Sequence, residues 1–228
     1  MKPPDDRAMR AASNERELQL RDAAEARRRA EQLERAPRNP RLLNPSIACH
    51  WLVVGNIRAG KSVALRQHIV PSWAWPERYG IRRPPRHVIV LDPVGQKWPG
   101  ATFVTQDHLA WLEALQGSRQ CVGVWDECGN DCESNKDIAK QLLWSATLSG
   151  NNGHAVYFVG QRAFQIPPSI RNNCASAIVF HQRGLNDRRV LADVYGEEMM
   201  TANTLPTHHC FVARSMEPTV KTVFPVVR

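Results

Sequence analysis

Long apolar runs are missing from this sequence. No stretch among its 228 residues approaches the ~20 apolar residues that span a bilayer, and mean hydropathy is −0.42, so an integral membrane protein is not expected. The opening residues, MKPPDDRAMRAASNER, lack the apolar core of a secretory signal, and export is not expected either. Cysteine occurs at 49, 121, 128, 132, 174 and 210, never as CxxC. Cys128 with Cys132, and the run His208-His209-Cys210, come nearest to metal-ligand spacing without forming a four-ligand set. Zinc is therefore not expected, and reduced cytosolic thiols fit better. Acidic residues are in short supply too. With 22 Asp+Glu against 30 Lys+Arg the net charge is +8, and a pI near 9.5 points to a polyanionic partner, nucleic acid ahead of an acidic membrane surface.

Hydrophobic residues at 43% are enough for one folded domain with an appendage. Residues 1–41 are the appendage: 11 basic and 8 acidic side chains with almost nothing large and apolar. Between Asn14 and Arg35 the helix formers Ala, Glu, Arg and Gln dominate, with Asn14 and Glu17 in capping-box spacing and Pro37 as a stop. A charged helical extension is expected there, exposed or packed on a partner. Residues 42–228 read differently. Strands are expected at Trp51–Val54, Val88–Leu91, Phe103–Val104, Val122–Trp125, Ala155–Val159 and Ala177–Phe180, with a terminal hairpin from Cys210–Ala213 and Val220–Phe224. Helices are expected at Lys61–Val70, at Leu109–Leu115 capped by Asp107, around Lys136–Leu148, and at Asn186–Tyr195. This alternation implies βαβ units and an α/β domain with a mainly parallel sheet. Pro71–Arg86, rich in proline, tryptophan and arginine, reads as an irregular excursion.

The strongest chemical signal is Gly55-Asn56-Ile57-Arg58-Ala59-Gly60-Lys61-Ser62, which satisfies GxxxxGK[ST] between a strand and a helix. Glycines allow successive N–H groups to turn toward phosphate oxygens. The lysine supplies a point charge for the β and γ phosphates, and the serine hydroxyl is a ligand for Mg²⁺. ATP with Mg²⁺ is the expected substrate. The strand ending at Asp126-Glu127 supplies the acidic partners: Asp126 to hold Mg²⁺, usually through water, and Glu127 to polarise the attacking water. The rival strand end at Asp92-Pro93 has one carboxylate and suits a turn or a supporting role. Gln161, after the strand Ala155–Val159, is placed to bond both the γ-phosphate and the water. All three strand ends should reach one crevice on one side of the sheet.

In this order, the pieces resemble the FtsK/HerA superfamily of DNA-pumping ATPases, from about Pro45 to Val227. The matching features are the GxxxxGKS loop, VLDP with nearby Gly95, Asp126-Glu127, Gln161, and Ile166-Pro-Pro-Ser-Ile-Arg171-Asn-Asn leading into Ala177-Ile-Val-Phe180. The single-domain size is most similar to genome-packaging ATPases of membrane-containing icosahedral viruses, tectivirus-like phages above all. The resemblance implies a RecA-like P-loop sheet with an additional strand between the two phosphate-site strands. It also implies a homo-oligomeric ring, usually a hexamer, with ATP at subunit interfaces and double-stranded DNA in the channel. The implied setting is the host cytoplasm or a packaging vertex of the virion, with capsid or membrane-associated packaging proteins as further partners.

One departure concerns the cation that acts on a neighbour's nucleotide. Family members often carry an arginine just before the glutamine strand, whereas this chain has Gly150-Asn-Asn-Gly153-His154. Arg171 is the first candidate for that role, near a sheet edge where a neighbour docks, and Arg162 the second. Alternatives to a packaging motor are a filamentous-phage-type assembly or secretion ATPase at a membrane, a conjugative DNA-transfer ATPase, and a non-motor nucleotide switch, against which Glu127 argues. Trp73 and Trp75 would serve a membrane surface or pack under a loop. Arg82, Arg83, Arg86 and Lys97 would face DNA or solvent.

Overall fold

The computed structural model describes residues 49–214 and 217–226; the expected extension 1–41 lies outside the described residues. Eight strands form one sheet: β1 (Trp51–Val54), β2 (Val88–Leu91), β3 (Phe103–Thr105), β4 (Val122–Trp125), β5 (Ala155–Gly160), β6 (Ser176–Val179), β7 (His209–Arg214) and β8 (Glu217–Val223). Their order is β3-β2-β4-β5-β1-β6-β7-β8. The first six run parallel, and β7 and β8 add antiparallel at one end. The strand between the phosphate-loop strand β1 and the carboxylate strand β4 is β5, so the additional-strand RecA-like fold implied by the resemblance is the one observed.

The central strands are apolar on both faces because helices cover both. Side chains alternate between layers with the two-residue period of a strand. Leu52, Val54, Leu91, Trp125 and Phe158 fill one layer of core, and Trp51, Val53, Val90, Val124 and Tyr157 the other. The second layer is closed by α1, which runs from Lys61–Val63 through a π-helical Ala64–Ile69 into Val70–Ala74. The first is closed by α2 (His108–Gln116), α3 (Cys128–Ser134), α4 (Lys136–Leu142), α5 (Trp144–Thr147), α6 (Pro168–Arg171) and α7 (Leu185–Tyr195). Asp107 caps α2 as expected, accepting from the N–H groups of Leu109 (2.8 Å) and Ala110 (3.1 Å).

Three local readings are corrected. The helix after the phosphate loop does not stop at Val70: it passes through Pro71 to Ala74, followed by a 3₁₀ turn, Pro76–Tyr79. Pro71 has no N–H to give the turn before it. The Gln67 carbonyl, four residues back, accepts the Tyr79 hydroxyl at 3.1 Å, and the preceding π-turn widens the coil where proline must fit. The second correction is α3, which forms over Cys-Gly-Asn-Asp-Cys-Glu-Ser, a run of weak helix formers. Burial of Cys128 and Cys132 beneath β4 and β5, and the Asp131 carboxylate accepting the Trp125 indole N–H at 2.7 Å, override local propensity. The expected single helix around Lys136–Leu148 is split between α4 and α5.

Trp73 is packed, not presented. It is fully buried, its indole N–H donates to the Tyr157 hydroxyl at 2.9 Å, and the Arg83 guanidinium stacks 3.3 Å from its ring centre. Arg83 also donates to the Ser72 carbonyl, and Arg86 to that of Gly153, so both arginines brace the excursion, while Arg82 and Lys97 remain exposed. Trp75 is 40% exposed under Arg78. No helix among the described residues is long and apolar enough to cross a membrane.

Candidate nucleotide site

Strand register assembles the site. Val54 is level with Gly160 on one side and Val179 on the other, so Gly55, Gln161 and Phe180 leave the sheet side by side. Trp125 is level with Leu91 and Phe158, which brings Asp126 to the same edge beside Asp92. These are the C-terminal ends of parallel strands, where an open α/β sheet offers its crevice.

The loop from Gly55 to Ser62 needs glycine at two points for different reasons. At Gly55 a Cβ would lie 2.5 Å from the Phe180 Cβ, because β1 and β6 converge there. Gly60 has φ +117°, a left-handed backbone that other residues rarely adopt. A Cβ there would also meet the Cα and Nδ1 of His208, both at 2.9 Å. Asn56 pins the loop outward, its N–H donating to His181 O (2.9 Å) and its Oδ1 accepting from Arg183 N–H (2.8 Å). The N–H groups of Ile57, Arg58 and Gly60 have no acceptor among the described residues. Lys61 is buried, its ammonium donating to the carbonyls of Gly55 (2.6 Å) and Asn56 (3.2 Å). Burial lowers its pKa, and the carboxylates of Glu127 and Asp126 oppose that shift. Ser62 is exposed at the helix start.

Asp126 is only 8% exposed. Burial, then the neighbouring Glu127 charge, pushes its carboxyl up to about 6, with Asp92 adding to the shift and Lys61 opposing it. A carboxylate so crowded with like charge is a natural cation ligand. Asp126 and the Ser62 hydroxyl are both hard oxygen donors of the kind Mg²⁺ prefers, and these residues fit that ion. Glu127 sits in the left-handed region at φ +57°, a conformation costing about 1–3 kcal/mol in a residue other than glycine. Its side chain is held from two directions: Oε2 accepts from Asn130 Nδ2 (2.8 Å) and from Gln161 Nε2 (3.2 Å). Gln161 and Glu127, expected to share a crevice, are in contact.

Asp92 organises a turn. Fully buried, it accepts the N–H groups of Val94 (2.9 Å) and Gln96 (2.5 Å) and the indole N–H of Trp98 (2.9 Å). Burial pushes its carboxyl up, but those hydrogen bonds outweigh burial and hold it below the usual carboxylate range.

Arg171 is not at an exposed edge. Only 9% of it is accessible, and Nη1 donates to the Ala163 carbonyl at 3.0 Å, bracing the turn after Gln161 from within. Short α6 tucks beneath that turn, which the Ile-Pro-Pro-Ser-Ile spacing did not reveal. Arg162 is half exposed and ion-paired to buried Asp187 at 3.3 Å. Three contributors were not legible in the sequence. Asn130 lies on the unexpected α3, and His208 reaches Gly60 across the fold. Gln182, fully buried, donates its amide to the Gln161 carbonyl at 3.1 Å. None of these carries a motif.

No protein-family model matches the chain, and no curated protein does. Solved structures do. The DNA-packaging ATPase B204 of Sulfolobus turreted icosahedral virus is 12% identical, with a TM-score of 0.61 over 81% of this chain and 100% of that one. The genome packaging NTPase B204 of Sulfolobus turreted icosahedral virus 2, in complex with sulfate, is 15% identical at TM-score 0.62, covering 81% and 99%. The pCW3 conjugation coupling protein TcpA, solved with ATPγS, is 15% identical at TM-score 0.57, covering 79% and 61%. At such identities the likeness is one of fold.

Proposed function

We propose that this chain is an ATP-hydrolysing motor of FtsK/HerA type that translocates double-stranded DNA and packages a viral genome into a preformed capsid. The observation that carries the reading is the meeting of Glu127 and Gln161 at 3.2 Å beside Asp126, Lys61 and the Gly55–Ser62 loop. The fold likeness to packaging ATPases supports it, as does a net charge of +8.

In this reading the loop N–H groups and Lys61 hold the β and γ phosphates of ATP. Ser62 and Asp126 hold Mg²⁺, which when bound offsets the charge of those phosphates. Glu127 accepts a proton from the water as its oxygen attacks the γ-phosphorus, and the bond to ADP breaks. Gln161 touches the base and so relates the γ-phosphate to its position. A ring of copies, hexameric by family resemblance, sets ATP between neighbours and DNA in the channel. Its place is the host cytoplasm or a capsid vertex, with packaging proteins as partners.

The test is ATP hydrolysis with and without duplex DNA, together with DNA affinity across a salt series. Hydrolysis stimulated by duplex DNA, and binding that is sequence-independent and falls steeply with salt as counterions are displaced, are expected. Hydrolysis indifferent to DNA would sink the motor reading in favour of a secretion ATPase or a switch. The fold likeness to TcpA keeps conjugative DNA transfer as a second reading, to be separated by whether the protein supports packaging into empty capsids.

A further inference from the structure

The grip on Glu127 is asymmetric. Oε2 takes two amide donors, Asn130 at 2.8 Å and Gln161 at 3.2 Å, whereas Oε1 has only Gln161 at 3.4 Å. Asn130 holds the backbone of the same residue, since its own N–H donates to the Glu127 carbonyl at 2.9 Å. Glu127 is therefore clamped at both ends by one residue, three positions on, in the first turn of α3. Such a clamp answers a local need, because the left-handed backbone of Glu127 departs from the helix it precedes and fixes no side-chain direction by helical packing. Asn130 itself is exposed, so its amide is not there to fill the core.

We infer that Asn130 is the positioning residue of the reaction: by occupying Oε2 it holds the carboxylate in one rotamer and leaves Oε1 as the oxygen that takes the proton from water. This rests on the reading of Glu127 as the base. Asn130 touches neither nucleotide nor water in this role and acts through Glu127 alone. A hydrogen bond to a charged group and the alignment it secures are together worth about 10- to 100-fold in rate.

The test measures steady-state ATP hydrolysis, affinity for a non-hydrolysable ATP analogue, and melting temperature in the full chain. The proteins compared are wild type, Asn130→Ala, Asn130→Asp and Glu127→Gln. Asn130→Ala should lower kcat about tenfold with KM and analogue affinity within about twofold of wild type. Asn130→Asp is isosteric but sets a carboxylate oxygen where the amide now donates, so kcat should fall further, by about 100-fold. Its carboxylate also faces that of Glu127, so its melting temperature should fall, and kcat is read at a temperature where both variants are fully folded. A fall in kcat in fully folded protein, with KM and analogue affinity kept, is a signature that a merely structural asparagine does not produce. Wild-type kcat in either Asn130 variant, while Glu127→Gln is inactive, overturns the inference. So does a loss of kcat that disappears once the temperature is low enough for both variants to be fully folded. Normal hydrolysis by Glu127→Gln would instead remove the base on which the inference stands.

Discussion

His208 lies directly over Gly60. The His208 N–H donates to the Ala59 carbonyl at 2.9 Å, and its Cα and Nδ1 occupy the space a Cβ on Gly60 would need. The turn that opens β7 thereby pins the second half of the Gly55–Ser62 loop, from about 150 residues away in sequence. Gly60→Ala is expected to combine this clash with an unfavourable φ, distorting the loop. Nucleotide affinity should fall more than 100-fold with the sheet intact by circular dichroism. Retained affinity would show that His208 swings aside.

Lys61→Ala and Glu127→Gln separate binding from chemistry. Losing the buried ammonium removes the charge that the proposed function sets against the β and γ phosphates, and tight ATP binding should be lost. Glu127→Gln keeps the shape and the Asn130 and Gln161 neighbours, so the analogue should bind normally. Hydrolysis should then slow by about 10²–10⁴-fold.

Arg171 is expected to matter for stability. Arg171→Ala removes a buried guanidinium that braces the Ala163 carbonyl and leaves that acceptor without its donor, at a cost of about 1–3 kcal/mol. The melting temperature should drop. Below that temperature Arg171→Ala should keep its hydrolysis, and Lys61→Ala subunits, in rings shown to contain both, should raise it no further. Recovery in mixed rings would mean that Arg171 leaves its internal site and acts on a neighbour's ATP.

A pH dependence is built into the opposite end of the sheet. His50, almost buried, accepts the Val156 N–H at its Nδ1 (3.2 Å), and His154, fully buried, accepts the Cys121 N–H likewise (3.1 Å). Both acceptors require neutral rings. Burial, then the nearby His154, lowers His50 from 6.5 to about 4, and burial lowers His154 as well. A depressed histidine leaves the unfolded chain binding more protons between the two pKa values. The histidine contribution is therefore full above about pH 6.5 and is lost as pH falls toward 4, about 3 kcal/mol for His50, whereas Asp126, raised to about 6, acts in the opposite direction below that pH. Chemical denaturation of wild type and His50→Gln at pH 7.5 and pH 5 should show the wild type losing more stability than the variant, in which Asp126 is unchanged. The same change in midpoint for both proteins would contradict the neutral-ring assignment.

Much of this was legible before any tertiary structure. GNIRAGKS lies between an apolar strand and a helix, and Asp126-Glu127 and Gln161 each end an apolar run, because parallel strands buried on both faces leave their chemistry to their ends. The helix of weak formers over Cys128–Ser134 was not legible, since its stability comes from burial and from Asp131 on Trp125. Nor was the course of the chain through Pro71, which depends on a π-turn and on Tyr79 reaching back to the Gln67 carbonyl.

The sequence by itself determined the phosphate loop, the carboxylate pair, the alternation of strands and helices, and the positive charge, all of which are local in the chain. Only tertiary structure decided who touches whom at the strand ends. Register sets Gln161 against Glu127, a crossing of distant segments lays His208 on Gly60, and the burial of α6 turns Arg171 inward. The physical reason is range. Backbone propensity and strand periodicity act over a few residues, whereas the orientation of a polar side chain depends on acceptors and excluded volume contributed by segments tens of residues away.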